Sequence, residues 1–295
     1  MVRVALTDKV SLGFMYVVVV VFAAFCIYPL AIVLAVSFTD ESTVMTQGYA
    51  LFPKAFSLEA YKYVFGTLGG KVLTGYLVTV SVTVVGTAAS LFVTSTYAYV
   101  TSVKGFRFRN VFSFLAYIPM VFSAGILPWY VLLTKYYQLT NNLPALVVPI
   151  IMNLFYFFLL KNFFNGVPAE LAEAARIDGA GHGTILMQVY VPIARVGIIT
   201  IGLFYALTYW NDFYLALMFI TEQKYYPLQY YLYTVLSNID FINNHAGTAM
   251  GNAVKAPLES TKMALTCITI GPIVVLYPFM QRFFVKGIIV GAVKG

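Results

Sequence analysis

The sequence is short of charge. Of its 295 residues only 10% are Asp, Glu, Lys or Arg, where a soluble domain carries roughly 25%. That deficit leaves too little polar surface for a water-exposed fold and points to a surface that faces lipid. Disorder is excluded on the same ground, since 61% of residues are hydrophobic and 17% aromatic, more apolar mass than a disordered chain carries. Cysteine is nearly missing. Cys26 and Cys267 both sit inside apolar runs, which argues for two small lipid-soluble side chains and against a disulfide framework. The two histidines, His182 and His245, stand alone in polar segments, and no His/Cys/Asp/Glu cluster has metal-ligand spacing. A phosphate-binding Gly-x-x-x-x-Gly-Lys-Ser/Thr loop is missing too. The nearest run, Gly69-Gly70-Lys71, is followed by Val72. With no paired carboxylates, zinc motif or Ser/His dyad, the sequence offers no catalytic residue.

What the chain does have is long apolar runs, with a mean hydropathy of +0.84. A helix crossing a bilayer needs about 20 mainly apolar residues. Six stretches qualify: Leu12–Val36, Tyr76–Tyr99, Val111–Leu133, Leu143–Leu160, Val196–Ile220 and Met263–Phe284. The first is too long for a signal peptide and lacks a small-residue cleavage site, so it reads as a retained span. Pro119, Pro128, Pro149, Pro272 and Pro278 interrupt the runs, which membrane helices tolerate when neighbouring groups re-satisfy the freed carbonyls. The expected fold class is all-α, a polytopic membrane protein with six transmembrane helices forming one transmembrane domain over residues 1–295.

Six spans place both termini on one side, and charge chooses the side. Arg3, Lys9, Lys104, Arg107, Arg109, Lys161, Arg176, Arg195, Arg282, Lys286 and Lys294 fall with the termini, against seven Lys or Arg opposite. Basic residues stay inside, so both termini are expected in the cytoplasm. Only four acids, Asp8, Glu170, Glu173 and Asp178, share that side. The net charge of +7 is thus explained by topology, without nucleic acid. On the outer side, Leu58, Tyr61 and Phe65 recur at helical spacing. That fits a short amphipathic helix on the surface, and simple loop packing fits as well. The tyrosines Tyr225, Tyr226, Tyr230, Tyr231 and Tyr233 suit an interfacial aromatic belt.

Between the fourth and fifth spans, over about residues 164–195, lies the segment with the most specific pattern. Pro168 suits a first helical turn, and Glu170 and Glu173 sit near the favourable end of the helix dipole. Ala172, Ala174 and Ala175 favour helix and leave a thin surface. Gly179, Gly181 and Gly183 break the helix, Thr184–Val191 resumes one, and Pro192 is expected to stop it. Ile185, Leu186 and Val189 form its apolar stripe. This helix-turn-helix is built to be gripped by another protein.

These residues resemble the EAA coupling loop of ATP-binding-cassette (ABC) importer permeases. Glu173-Ala174-Ala175 is followed after three residues by Gly179, and nine residues later by Val189-x-Val191-Pro192. The run Glu173–Ala180 is similar to the carbohydrate branch, related to the smaller permease of the maltose importer. A proline commonly follows the terminal Ala-Arg there; Val196 stands in its place. Tyr209-Trp210-Asn211-Asp212, Tyr226-Pro227-Leu228-Gln229-Tyr230 and the ending Tyr277–Gly287 with Val293–Gly295 resemble a subgroup importing oligo- and polysaccharides such as alginate.

The resemblance implies a pore subunit in a bacterial cytoplasmic (inner) membrane. Its partners would be a second homologous permease, two separate ATPases that bind the ATP and Mg, and an extracytoplasmic binding protein that delivers the sugar. Glu173, Ala174, Ala175, Asp178, Gly179 and Pro192 would couple to the ATPase. No cofactor belongs to this chain. For the sugar path the fifth span offers Tyr205, Tyr209 and Asp212 on one helical face, with Trp210 and Asn211 beside them. Aromatic faces and polar groups of this kind hold sugars, and the same residues also serve packing between spans. An ion-coupled carrier is the alternative; such carriers relay ions through intramembrane ionisable residues, but Asp212 is the only acid inside a span and no inverted repeat is evident.

Overall fold

The structure, a computed structural model, describes residues 6–244 and 259–275. Among them the chain is all-α, with no strand beyond an isolated antiparallel bridge between Thr39 and Phe56. Two helices are long and apolar enough to cross a bilayer unbroken. The first, α1 (Leu6–Ser37), carries a run of apolar side chains of which none from Leu12 to Leu30 is buried. Such a surface is stable only against lipid or another apolar partner. After two short helices, α2 (Glu41–Gln47) and α3 (Glu59–Gly66), comes the second long one, α4 (Gly69–Ser102).

The next three expected spans are interrupted, the first two of them beside prolines and a glycine. Between α5 (Arg109–Val121) and α6 (Ile126–Tyr136) the chain turns by 115°. Pro119 removes a backbone donor near the end of α5, and Gly125 takes φ +83° at the start of α6. The fourth run begins as two tight 3₁₀ turns over Leu143–Ile150, with Pro144 and Pro149 in their first turns. It then bends by 57° into α7 (Leu154–Asn165), five residues past the expected end. Asn153 caps α7, accepting from the N–H groups of Phe155 and Tyr156.

Beyond α7 come α8 (Ala169–Ile177), α9 (His182–Ile193) and α10 (Arg195–Asn211). The fifth run stops at Asn211 and restarts as α11 (Tyr214–Phe219), followed by α12 (Leu228–Asn244). Another helix, α13, covers residues 259–275, so the sixth run is described from Met263 only to residue 275. Pro278, His245 and the Tyr277–Gly287 and Val293–Gly295 motifs lie outside the described residues, as do Arg3, Lys255, Arg282, Lys286 and Lys294.

The chain packs as two compact units. One comprises residues 1–72 and 234–272. There α3 forms, but the face it buries carries Ala60 and Val64, while Leu58 and Phe65 of the expected stripe stay exposed. The reason is the neighbouring strap. Phe38 stacks on Phe56 at 5.7 Å and on Tyr61 at 4.9 Å, and Tyr61 reaches Ser37 Oγ at 3.0 Å. Small side chains then fill the close contact. Asp40 caps α2, and hydrogen bonds from Ser42 hold its exposed carboxyl below the usual range. Glu41 caps α13, accepting from the N–H groups of Glu259 and Ser260, both at 2.9 Å.

The second unit comprises residues 73–233 and 273–295. Its core joins Phe157, Leu160 and Phe164 of α7, Ile185 of α9, and Ile201, Tyr205 and Tyr209 of α10. In it α4 and α10 run antiparallel, as their pairings show: Gly86 and Ser90 meet Tyr209, and Thr94 meets Tyr205. The approach is close. A Cβ on Gly86 would lie 2.7 Å from the Tyr209 ring, the small-residue contact that lets membrane helices pack tightly.

Candidate functional site

The segment from Pro168 to Arg195 folds as two helices meeting at a defined turn. Pro168 is extended, with φ −57° and ψ 129°, and α8 begins at the next residue. At the other end Asp178 caps the helix and Gly179 takes φ +82°. Gly179 N donates to Arg176 O at 3.0 Å, and Ala180 N donates to Ala175 O at 2.9 Å. That pair of bonds is the Schellman arrangement, which satisfies the last carbonyls and requires a left-handed residue where Gly179 stands. The third residue of the Glu-Ala-Ala run is therefore an acceptor in the turn that ends the helix.

The two faces of α8 differ. Ala172 is buried and Ala175 packs partly against the core. Glu173, Ala174, Ile177, Asp178 and Gly179 are exposed, Ile177 by 86%. An apolar side chain that far out of the fold was not singled out by the sequence reading. Its signal is its position, off the Ala172/Ala175 stripe, on the side with Glu173 and Ala174. Glu173 also lines a cleft of about 210 Å³ together with Lys104, Arg109 and Arg176. Among the described residues Glu173 forms no ion pair.

The second helix departs from expectation at both ends. It starts at His182, so Gly183 lies inside it, and it continues through Pro192 to Ile193. Proline normally stops a helix by lacking a donor and by crowding the carbonyl four residues back. Here Leu186–Tyr190 is widened to a π turn, with Val191 N donating to Leu186 O, which makes room for the ring. The real break is Ala194, where the chain turns by 89° into α10. The buried stripe is Ile185, Leu186 and Tyr190, with Val189 only partly buried. Burial pushes the Tyr190 phenol up from its ordinary value.

The second helix of the loop meets the end of α4 at Tyr99, which is 4% exposed. Its hydroxyl lies 2.9 Å from His182 Nδ1, and its ring packs edge-on against Tyr190 at 4.9 Å. Arg176 of α8 lines one cleft with Ser102, Val103 and Tyr190. Tyr190 in turn packs edge-on against Phe164 of α7 at 5.5 Å.

The second candidate set is divided by the end of α10. Tyr205 and Tyr209 are each 1% exposed, with their hydroxyls engaged. Tyr205 bonds Thr94 Oγ1 at 2.7 Å and accepts from Asn153 N at 2.9 Å. Tyr209 bonds Ser90 Oγ at 2.8 Å and donates to Val147 O at 3.2 Å. Asp212 lies beyond the helix, so it no longer shares their face; its carboxylate accepts from Leu215 N at 3.2 Å and caps α11. Trp210 packs edge-on to Tyr76 at 6.4 Å. The exposed Asn211 donates to Leu207 O at 2.9 Å and accepts from Gln229 Nε2 at 3.4 Å. The break between α10 and α11 thus exposes polar groups above two buried, hydrogen-bonded tyrosines.

Comparison with known proteins gives a consistent answer. Residues 86–290 match the profile of the family described as "Binding-protein-dependent transport system inner membrane component". Protein LplC of Bacillus subtilis is 39% identical over 274 residues, which is 92% of this chain and 90% of LplC. The polygalacturonan/rhamnogalacturonan transport system permease protein YtcP, also of B. subtilis, is 35% identical, covering 98% of this chain and 99% of YtcP. Among solved structures, a chain of a bacterial ABC transporter involved in the import of the acidic polysaccharide alginate aligns with TM-score 0.84. It is 27% identical, and the alignment covers 96% of this chain and all of that one.

Proposed function

The chain belongs to the family of binding-protein-dependent transport system inner membrane components, and from that premise we propose that it imports an acidic oligosaccharide as one of two permeases driven by separate ATPases. As a member of this family it is a pore subunit of an ABC transporter and not an enzyme. The observation that carries the coupling role is the α8 turn. Its Schellman bonds fix Gly179 in the left-handed region and leave Glu173, Ala174 and Ile177 exposed on one surface. A pre-formed convex helix end of that kind suits docking into a groove of an ATPase, which binds the ATP and Mg. In this reading Asp178 and Gly179 set the turn, and Ala175 anchors it. Pro192 stiffens the corner into α10.

The reading includes six spans in one permease domain, with both termini and the α8–α9 loop in the cytoplasm. Family membership, the apolar helices and the distribution of Lys and Arg support it. Trp210, Asn211 and Asp212 at the α10–α11 break face the sugar, and Tyr205 and Tyr209 hold that break in place from beneath. Names of the relatives support the substrate class, since a pectin-type polysaccharide and alginate are both acidic. The ion-coupled carrier is not supported: the family is ATP-driven, and the Asp212 carboxylate is engaged as a helix cap.

The test is reconstitution of the chain with its partner permease, two copies of the ATPase and the binding protein in proteoliposomes. Uptake of uronate oligosaccharides should require ATP and the binding protein, and should survive a proton uncoupler. Equal stimulation of ATP hydrolysis by a peptide-loaded binding protein would overturn the substrate assignment. Activity of the chain as a homodimer would overturn the partnership.

A further inference from the structure

The contacts of α4 connect two places that the proposed function treats separately. At its end Tyr99 meets the second helix of the loop, through His182 and Tyr190 of α9. Nearer its middle, Thr94 bonds Tyr205 and Ser90 bonds Tyr209, the two buried tyrosines of α10 below the break at Asn211. Ser90, Thr94 and Tyr99 are all buried. The outer two lie nine residues apart on one helix, a rigid rod of about 14 Å at 1.5 Å per residue.

Tyr99 and His182 share one hydrogen bond, in which the phenol donates when the imidazole proton sits on Nε2. One hydroxyl therefore ties the start of α9 to the end of α4. The Tyr99 ring, wedged edge-on against Tyr190, which itself leans on Phe164, sets the position of the second helix.

We infer that Tyr99 is a positioning residue that fastens the second helix of the loop to α4. Displacement of the loop then reaches the α10–α11 break through Thr94–Tyr205 and Ser90–Tyr209. This rests on the reading of the loop as the ATPase-docking element. Packed, hydrogen-bonded contacts of this sort transmit movement because they do not deform continuously.

The experiment uses the assembled transporter with its binding protein, in a background of Cys26→Ser and Cys267→Ser. Asn211→Cys then reports on the break by its rate of reaction with a hydrophilic maleimide. In the parent complex that rate should change between the nucleotide-free and ATP–vanadate-trapped states. Tyr99→Phe keeps the ring and removes the hydroxyl; it should leave assembly and ATP hydrolysis in place and shrink the nucleotide-dependent change roughly three- to tenfold, the worth of one hydrogen bond.

His182→Leu should do the same. The double variant should be no worse than either single one, because they remove one shared contact. His182→Asn, which restores an acceptor near the Nδ1 position, should recover the change. His182 is exposed, so its variants carry the test even if Tyr99→Phe fails to assemble. A full nucleotide-dependent change in both Tyr99→Phe and His182→Leu would overturn the inference. So would additive losses, or a parent complex that hydrolyses ATP with no change at Asn211→Cys. Failure of the loop assignment itself reads differently, as normal uptake and assembly in Gly179→Leu.

Discussion

Replacing Gly179 separates two ways in which the loop can fail. Its φ of +82° is disfavoured for any residue with a Cβ, by roughly 1–2 kcal/mol. A Cβ built there meets no heavy atom within 4 Å, so within this chain the cost is backbone strain alone and no clash adds to it. One to two kcal/mol shifts an equilibrium by about 5- to 30-fold. Gly179→Ala, strained but small, should therefore lower uptake within that range if docking requires the left-handed turn. Gly179→Asn relieves most of the strain, since Asn tolerates this region, but adds bulk. Gly179→Leu brings both.

If the turn itself sets coupling, Asn should retain more activity than Ala. If contact between residue 179 and the ATPase decides, Ala should retain more than Asn. In either case Leu should abolish uptake while the spans remain folded. The measurements are co-purification of the ATPase, ATP hydrolysis and sugar uptake on the same membranes. Normal uptake in Gly179→Leu would refute the assignment of this turn as the coupling element.

Other substitutions test neighbouring parts of the argument. Glu173→Gln should weaken docking by roughly 1.5–3 kcal/mol if its carboxylate meets a basic group of the ATPase, a smaller defect than that of Gly179→Leu; co-purification at rising salt measures it. Ile177→Asp should reduce ATPase retention at least tenfold, as expected when an exposed apolar anchor is lost from an interface, without changing the melting temperature of the isolated permease pair; an unchanged affinity would show that Ile177 points away from the partner. Gly86→Ala forces a Cβ to within 2.7 Å of the Tyr209 ring and should destabilise the fold by about 1–3 kcal/mol, the usual cost of overpacking; thermal melting in detergent reports it. Trp210→Ala should raise the KM for uptake and spare basal ATP hydrolysis, and an unaltered KM would remove Trp210 from the sugar path.

Much of the loop was legible in the chain. Pro168, the alanines and Gly179 name a helix start, its body and its stop, because each of those residue types acts through its own backbone. The start of α7 at the capping Asn153 and the turn through Pro192 were not legible in the same way. A proline is an obstacle to a regular helix, but the π turn over Leu186–Tyr190 lets the helix pass it. That accommodation depends on Leu186 and Tyr190 finding burial against the core, which is a property of the neighbours. Tyr99 was invisible for a similar reason. It is one of 23 tyrosines, and only the meeting of α4 with His182 and Tyr190 gives it a role.

The sequence alone determined the class of environment, the apolar runs, and the chemistry of the loop's turn. These follow from composition and from backbone preferences that act over a few residues. The tertiary structure decided where the runs bend, which face of α3 is buried, and how the fifth-span cluster divides. Tyr205, Tyr209 and Asp212 share a helical face only while the helix lasts. Because it ends at Asn211, the aspartate turns to cap the next helix, while the two tyrosines, still within the helix, bond Ser90 and Thr94 in the core. Periodicity describes a continuing helix, whereas its end is set by the partners that its last residues find.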